Sequence, residues 1–200
     1  MIKNIIFDFG DIFINLDKQV VFKALKNKNV QEFLPKYHSI NEAFEVGKIS
    51  PNEFVDLLQL DFPHLAQEVI IDIWNSMLLD FPEYRLTFLE SLAKENKYRL
   101  FLLSNTNALH IPHVGKIMGA KNYSRFKNSF EQFYLSHEIQ LRKPNVEIFQ
   151  FVMEQNNISP EDTLFIDDTK ENTDAAKKLG IKTWNLQVGA EDIIQLKDKL

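Results

Sequence analysis

The chain has 200 residues, of which 44% are hydrophobic and 12% aromatic, so it can bury a substantial core and is not a miniature stapled fold. Its formal net charge is -5, with acidic and basic residues interspersed and no basic stripe, which argues against a nucleic-acid partner. The absence of cysteine excludes disulfides and thiolate metal sites.

The N-terminal residues bear on targeting. One lysine precedes a short apolar run that Asp8 interrupts, which is neither a signal peptide nor long enough to span a membrane. We therefore expect a soluble, cytoplasmic protein without a membrane partner. Any bound metal would need oxygen or imidazole ligands, and oxygen ligands favour a hard ion such as Mg²⁺.

The first predicted element is a buried strand at 5–7, and a helical region follows it. Residues 16–81 carry helical patterns and no convincing strand. Within them, Ser50 and Glu53 form a capping box, and apolar residues at helical spacing over 69–78 predict a second long helix. Two residues of that stripe are expected to pack in a core rather than contact a ligand: Trp74 and Met77.

Strands and helices alternate in the rest of the chain. Helical patterns begin after Pro82 and after Pro144, and a third covers 173–179 before Gly180. The predicted strands lie at 98–103, 133–135, 164–166 and 183–186. This alternation predicts an α/β fold with a parallel sheet and right-handed crossovers, into which the helices of 16–81 are inserted.

Polar residues stand where the predicted strands end. Asp8 ends the first strand, Ser104 and Asn105 follow the second, and Asp167 and Asp168 follow the strand at 164–166. Ligands of open α/β sheets bind at the carboxyl ends of the strands, so we expect these side chains to line one crevice. Lys143, just before a predicted helix, is expected to direct its ammonium to the same edge.

This combination suits a phosphoryl group. A carboxylate can attack phosphorus if a divalent ion and a lysine screen the charges, and Asp8 and Asp168 offer oxygen ligands from neighbouring loops. Ser104 and adjacent groups, including Asn105, would hold the non-transferred phosphate oxygens, and Lys143 would neutralise the developing charge. The adjacent carboxylates of Asp167 and Asp168 repel each other unless a positive charge is near.

Four stretches, IIFDFGD, LLSNTN, LRKPNVEIF and LFIDDTKENTDAA, resemble in order the motifs of the haloacid dehalogenase-like (HAD) hydrolase superfamily. The resemblance implies a Rossmann-like core at 1–15 and 82–200, a helical cap at 16–81, and a Mg²⁺-dependent phosphatase with an aspartyl-phosphate intermediate. By position, Asp8 is the nucleophile, Ser104 binds phosphate, Lys143 stabilises charge, and Asp168 binds metal with Asp167 beside it. Residues 45–48 join two predicted cap helices and are candidates for the cap surface nearest the site.

Gly10 is a departure from the motif. Most phosphatases of the superfamily carry a second aspartate there, which serves as general acid and base. The resemblance still lets the backbone carbonyl of Gly10 ligate the metal, but the proton transfer, typically worth roughly 10²- to 10⁴-fold in rate, is lost. A subset of the superfamily that resembles sugar-phosphate phosphatases also has glycine here. Asp11 is either a substitute acid or a residue that caps the loop.

Three functions remain open from the sequence. The first is a Mg²⁺-dependent phosphatase for a small phosphorylated metabolite, such as a sugar phosphate. The second is a metal-independent 2-haloacid dehalogenase, whose relatives also lack the second aspartate, although the pair Asp167 and Asp168 argues against it. The third is a non-catalytic protein that binds phosphate esters. The sequence does not indicate an oligomeric state.

Overall fold

A computed structural model of the chain describes residues 1–24 and 30–200. The described residues form a five-stranded, wholly parallel sheet in the order β3-β2-β1-β4-β5. The strands are β1 (Asn4–Phe7), β2 (Arg99–Ser104), β3 (Gln132–Leu135), β4 (Thr163–Asp167) and β5 (Lys182–Asn185). All five predicted strands are confirmed, each to within one or two residues, and the α/β Rossmann-like fold is confirmed with them.

Both faces of the sheet are covered, because alternate residues of each strand point to opposite sides. Ile5 and Phe7 of β1 belong to one apolar core, which includes residues of α5 (Glu83–Lys94) and α6 (His110–Asn128). Ile6 belongs to a second core, with residues of α8 (Val146–Asn156) and α9 (Lys170–Lys178). The short α7 (Ser136–Ile139) follows β3, and two 3₁₀ segments cover Pro160–Asp162 and Ile193–Lys199.

Helices α1 to α4 lie between β1 and β2 in sequence and have their own apolar core. They are α1 (Val20–Ala24), α2 (Val30–Glu45), α3 (Pro51–Asp61) and α4 (Gln67–Asn75). The predicted capping box opens α3, since the Ser50 hydroxyl accepts from the Glu53 amide and the Glu53 carboxylate accepts from the Ser50 amide. Helix α4 is shorter than predicted, because Met77 lies in the turn beyond its end and Leu78 forms a bridge with Leu16.

Two chain segments connect this helical insertion to the sheet, and they run side by side. The Leu79 amide donates to the Asn15 carbonyl at 2.9 Å, and the Asn15 amide donates to the Asp80 carbonyl at 3.0 Å. The division at 15/16 and 81/82 stays a prediction, and residues 25–29 of the predicted cap lie outside the described residues. Across the described chain, every helix is too short or too polar to cross a membrane.

Candidate active site

The four predicted motifs meet at the carboxyl edge of the sheet. Asp8 directly follows β1, Asp167 is the last residue of β4, and Asp168 comes next. Because β1 and β4 are paired in register, with Phe7 opposite Ile166, their tips lie next to each other. Lys143 lies in the loop between α7 and α8.

Lys143 is the centre of this arrangement. Its ammonium donates to Asp8 Oδ1 at 2.7 Å, to Asp167 Oδ2 at 2.7 Å and to the Leu103 carbonyl at 2.8 Å, so three acceptors satisfy its three donors. Its side chain is 1% exposed. The main chain of Lys143 is fixed as well, because the Asn105 side chain donates to its carbonyl and accepts from its amide, both at 2.9 Å.

Asp167 is held from several sides and is wholly buried. The Thr169 amide donates to its Oδ1 at 2.8 Å, and Asn172 donates to both of its oxygens at 3.0–3.1 Å. With the Lys143 contact, both oxygens have donors. Asp167 therefore positions Lys143 in this arrangement.

Three carboxylates could hold a metal ion here. One oxygen from each of Asp8, Asp167 and Asp168 lies within 4.8 Å of the others. Among the described residues, no donor reaches Asp8 Oδ2, Asp168 Oδ1 or the Gly10 carbonyl. These unshared oxygens are the kind of ligand that Mg²⁺ prefers, so the donor set fits a hard divalent cation.

Burial changes the pKa values of the charged side chains in this site. Burial raises the pKa of Asp8 to about 7, although Lys143 opposes the rise. Burial would lower the pKa of Lys143, but the carboxylates of Asp167 and Asp8 outweigh it, so that this pKa is raised. Burial also raises the pKa of Asp168. A bound cation would favour the ionised carboxylates.

Lys18, on the segment that leads into the helical insertion, is a contact that the sequence did not reveal. Its ammonium lies 2.5 Å from Asp168 Oδ2 and 2.9 Å from Asp11 Oδ2. Asp11 also accepts from the Leu16 amide at 3.0 Å, with a left-handed φ of 56°. These contacts agree with the loop-capping interpretation of Asp11.

Gly10 is closely covered by Leu16. A Cβ at position 10 would lie 2.7 Å from Leu16 Cδ1 and 3.9 Å from Asp8 Oδ2. The leucine methyl group therefore fills the space that a longer residue at position 10 would need.

Two connected cavities lie above the strand tips. The outer one, which we call the crevice, has a volume of about 460 Å³ and is lined by Asp8, Lys143 and Asp168, with Glu45, Met77 and Arg142 also bordering it. The smaller one, the inner chamber, has about 120 Å³ and lies between α2, α4 and the loop after β2. A larger hollow of about 810 Å³ lies at the opposite edge of the sheet, away from the carboxylates.

Ser104 and the cap residues are distributed between these cavities. Ser104 is buried and lines the inner chamber, whereas Asn105 borders both cavities. Trp74 packs in the core of the insertion, as predicted, and its ring also lines the inner chamber; Met77, expected only to pack, borders both cavities. Of residues 45–48, Glu45 borders both cavities, Val46 is buried and Lys48 is exposed away from them.

Arg142 connects the helical insertion to the sheet domain. It donates to Glu45 Oε2 and to Glu42 Oε1, both at 3.1 Å, and therefore links the end of α2 to the loop that carries Lys143. The sequence showed Arg142 only as a neighbour of Lys143. Glutamates of a distant helix give no sequence signal for this pairing, because 97 and 100 residues separate the partners.

Comparisons with known proteins agree with this geometry. The chain is 30% identical over 197 residues to a D-ribitol-5-phosphate phosphatase of Bacteroides thetaiotaomicron, covering 96% of this chain and 95% of the relative. It is 35% identical to a HAD family enzyme of the same organism, solved with magnesium and inorganic phosphate, with a TM-score of 0.79 over 96% of this chain and 97% of the other.

A predicted HAD-like family hydrolase from Porphyromonas gingivalis is similar as well. It is 28% identical, with a TM-score of 0.81, over 100% of this chain and 97% of the other. The model of the haloacid dehalogenase-like hydrolases matches residues 2–180. The chain therefore belongs to the haloacid dehalogenase-like hydrolase family.

Proposed function

We propose that this protein is a Mg²⁺-dependent phosphatase that hydrolyses the phosphate monoester of a small phosphorylated metabolite, a sugar or polyol phosphate. The observation that carries the proposal is the buried Lys143 ammonium, 2.7 Å from both Asp8 and Asp167, beside a third carboxylate. The similarity to a D-ribitol-5-phosphate phosphatase supports the substrate class. We place this activity in the cytoplasm.

In this proposal each site residue has a defined role. Asp8 attacks phosphorus through one oxygen of its carboxylate and forms an aspartyl-phosphate. Asp8, Asp168 and the Gly10 carbonyl, with Asp167 beside them, would hold Mg²⁺, which would neutralise charge on the phosphoryl oxygens. Lys143 favours the ionised form of Asp8 and stabilises the added charge. Ser104, the last residue of β2, and Asn105, which borders the crevice with Asp8, would hold the remaining oxygens.

The reaction is completed by water. The bond between phosphorus and the ester oxygen breaks, and the departing alkoxide takes a proton from solvent, because Gly10 offers none. A second water then attacks phosphorus, releases inorganic phosphate and regenerates Asp8. Helices of the region 16–81 would act as a cap that covers the crevice during the first step.

Hydrolysis of p-nitrophenyl phosphate with Mg²⁺ or with EDTA tests the proposal. We expect turnover only with Mg²⁺ and its loss in Asp8→Asn, while Asp174→Asn, an exposed change on α9, keeps wild-type activity. Turnover that persists in EDTA would contradict the proposal. Release of halide from a 2-haloacid would favour a dehalogenase instead, and phosphate binding without turnover would favour a binding protein.

A further inference from the structure

The two segments that connect the helical insertion to the sheet domain form a short antiparallel pair, which we call the ribbon (15–17 and 77–80). Besides the two main-chain hydrogen bonds described above, Leu16 and Leu78 form an antiparallel bridge between the segments. Because the two segments are bonded to each other, a force on one of them also acts on the other. The ribbon therefore behaves as one unit at the base of the insertion.

Two side chains of the ribbon border the crevice that contains Asp8 and Lys143. Leu16 and Met77 line both the crevice and the inner chamber. Leu16 also lies closely over Gly10, because a Cβ on that glycine would be 2.7 Å from Leu16 Cδ1. A shift of the ribbon would therefore move two walls of the crevice.

One side chain of the ribbon, Asn15, is held from both sides. Its Oδ1 accepts from Arg85 Nη1 at 3.0 Å, and its Nδ2 donates to Asp80 Oδ1 at 3.0 Å. A guanidinium only donates and an ionised carboxylate only accepts, so the amide of Asn15 satisfies both neighbours at once. Asn15 therefore links the position of the ribbon to that of Arg85.

Arg85, in the first turn of α5, is fixed on its other side by Asp192. Its side chain is 10% exposed, and its Nε and Nη2 donate to Asp192 Oδ2 at 3.1 Å and 2.9 Å. Tyr84 donates to the same oxygen at 2.7 Å. The 3₁₀ segment that Asp192 opens has two residues buried in the apolar core that contains Phe7. Arg85 is therefore anchored to the sheet domain where it contacts the ribbon.

We propose that Arg85 is a positioning residue for the reaction: through Asn15 it holds the ribbon, and with it Leu16 and Met77, in place beside the crevice. Arg85 itself borders neither cavity, so it acts on the site only through the ribbon. Its bond to Asn15 is charge-assisted, and such bonds are stronger than those between neutral groups. This inference rests on the proposed phosphatase activity and adds a residue that lies outside the four motifs.

An exchange of donor and acceptor tests the inference, with p-nitrophenyl phosphate and Mg²⁺ in the assay. Asn15→Asp still accepts from Arg85, but it places a second carboxylate against Asp80, and like charges repel. We expect this variant to raise KM roughly 3- to 10-fold, which corresponds to the loss of one hydrogen bond. Adding Asp80→Asn supplies a donor to that contact again, so the double variant should return KM to within about twofold of wild type.

Arg85→Met removes the anchor of the ribbon and should raise KM by a similar factor. KM is the informative constant, because unfolded molecules bind no substrate. A loss of folded protein therefore lowers the apparent kcat of a variant and leaves its KM unchanged. A raised KM consequently distinguishes positioning of the crevice from a merely structural role of Arg85.

Gln67→Glu is the matched control. Gln67 Nε2 donates to Asp56 Oδ1 at 2.8 Å on an exposed surface, so this change also sets one carboxylate against another, but away from both cavities. We expect its KM to stay within about twofold of wild type.

Three results would overturn the inference and leave the proposed phosphatase intact. They are an unchanged KM in Asn15→Asp or in folded Arg85→Met, a raised KM that Asp80→Asn does not reverse, and an equal rise of KM in Gln67→Glu. Failure of the wild-type protein to hydrolyse p-nitrophenyl phosphate at all would overturn both the inference and the proposed phosphatase.

Discussion

At the scale of single residues, Lys143 balances two buried carboxylates that would otherwise repel each other. Replacing it by methionine leaves Asp8 and Asp167 without this cation, and loss of one partner from a buried ion pair typically costs about 3–5 kcal/mol. We expect Lys143→Met to lower the free energy of unfolding in EDTA by about this amount and to abolish phosphatase turnover. Urea unfolding, followed by far-UV circular dichroism, measures the first effect.

The control for this change is Lys170→Met on α9. Lys170 pairs with Asp174 on an exposed surface, where such pairs contribute about 0–1 kcal/mol. Adding Mg²⁺ should restore part of the stability of Lys143→Met, since a divalent cation replaces the missing charge. Equal stability of both lysine variants in EDTA would show that Lys143 does not carry the charge balance.

His110 predicts a pH dependence. Burial lowers its pKa to about 4, whereas in the unfolded chain it takes up a proton near pH 6.5. Its contribution to stability is therefore complete above pH 6.5 and is lost as the pH falls towards 4. Between pH 7.5 and pH 5 this group alone lowers the free energy of unfolding by about 2 kcal/mol.

The variant His110→Phe isolates this contribution. Phenylalanine keeps a ring against Trp74, on which His110 stacks at 5.1 Å between centroids, but it does not titrate. Urea unfolding at pH 7.5 and pH 5 should show a decrease smaller by about 2 kcal/mol in the variant than in wild type. Identical decreases would mean that His110 takes up its proton in the folded protein.

At the scale of elements, the loop before α8 is joined to α2 by Arg142. Glu45 is mostly buried, with a side chain 16% exposed, whereas Glu42 is 58% exposed. We expect Arg142→Gln to destabilise this junction by about 1 kcal/mol and to speed amide hydrogen exchange over residues 37–46. Glu42→Gln should have little effect, because exposed ion pairs contribute about 0–1 kcal/mol. Unchanged exchange in Arg142→Gln would contradict this role.

The elements were predictable from the sequence to different degrees. Buried parallel strands read as continuous apolar runs, so all five were found. The end of α4 was predicted too late, because the apolar pattern continues through Met77 and Leu78. The helix itself ends earlier, and the segment after it is hydrogen-bonded to Asn15 and Asp17. The end of α4 is set by hydrogen bonds to a distant segment of the chain. The spacing of apolar residues in the sequence does not reveal such bonds.

At the scale of the whole molecule, sequence motifs predicted which residues meet at the strand tips, because the register of a parallel sheet brings those tips together. The sequence named Glu45 among the candidates at 45–48, but it did not predict Lys18 or the space filled by Leu16, since these depend on how the helical insertion packs over the sheet. Position in a motif therefore predicted which polar side chains come together. The packed structure was needed to show which residues line the two cavities above those tips.

Binding of Mg²⁺ at the site should also stabilise the folded protein as a whole. A ligand that binds only the folded protein, at 100 times its Kd, adds about 2.7 kcal/mol, which corresponds to a Tm increase of roughly 5–10 °C for a protein of this size. We expect Mg²⁺ to raise Tm by this amount in wild type and much less in Asp168→Asn. Differential scanning calorimetry with Mg²⁺ and with EDTA measures the difference.

Lys18 should oppose this binding, because its ammonium lies against Asp168 where a cation would share the carboxylate. Its side chain is 49% exposed, so its effect is modest, and we expect Lys18→Met to tighten Mg²⁺ binding roughly two- to fivefold in isothermal titration calorimetry. Lys170→Met should bind like wild type. Weaker Mg²⁺ binding in Lys18→Met would contradict this prediction. It would mean that the Lys18 ammonium orients the Asp168 carboxylate for the metal and does not compete with the metal for it.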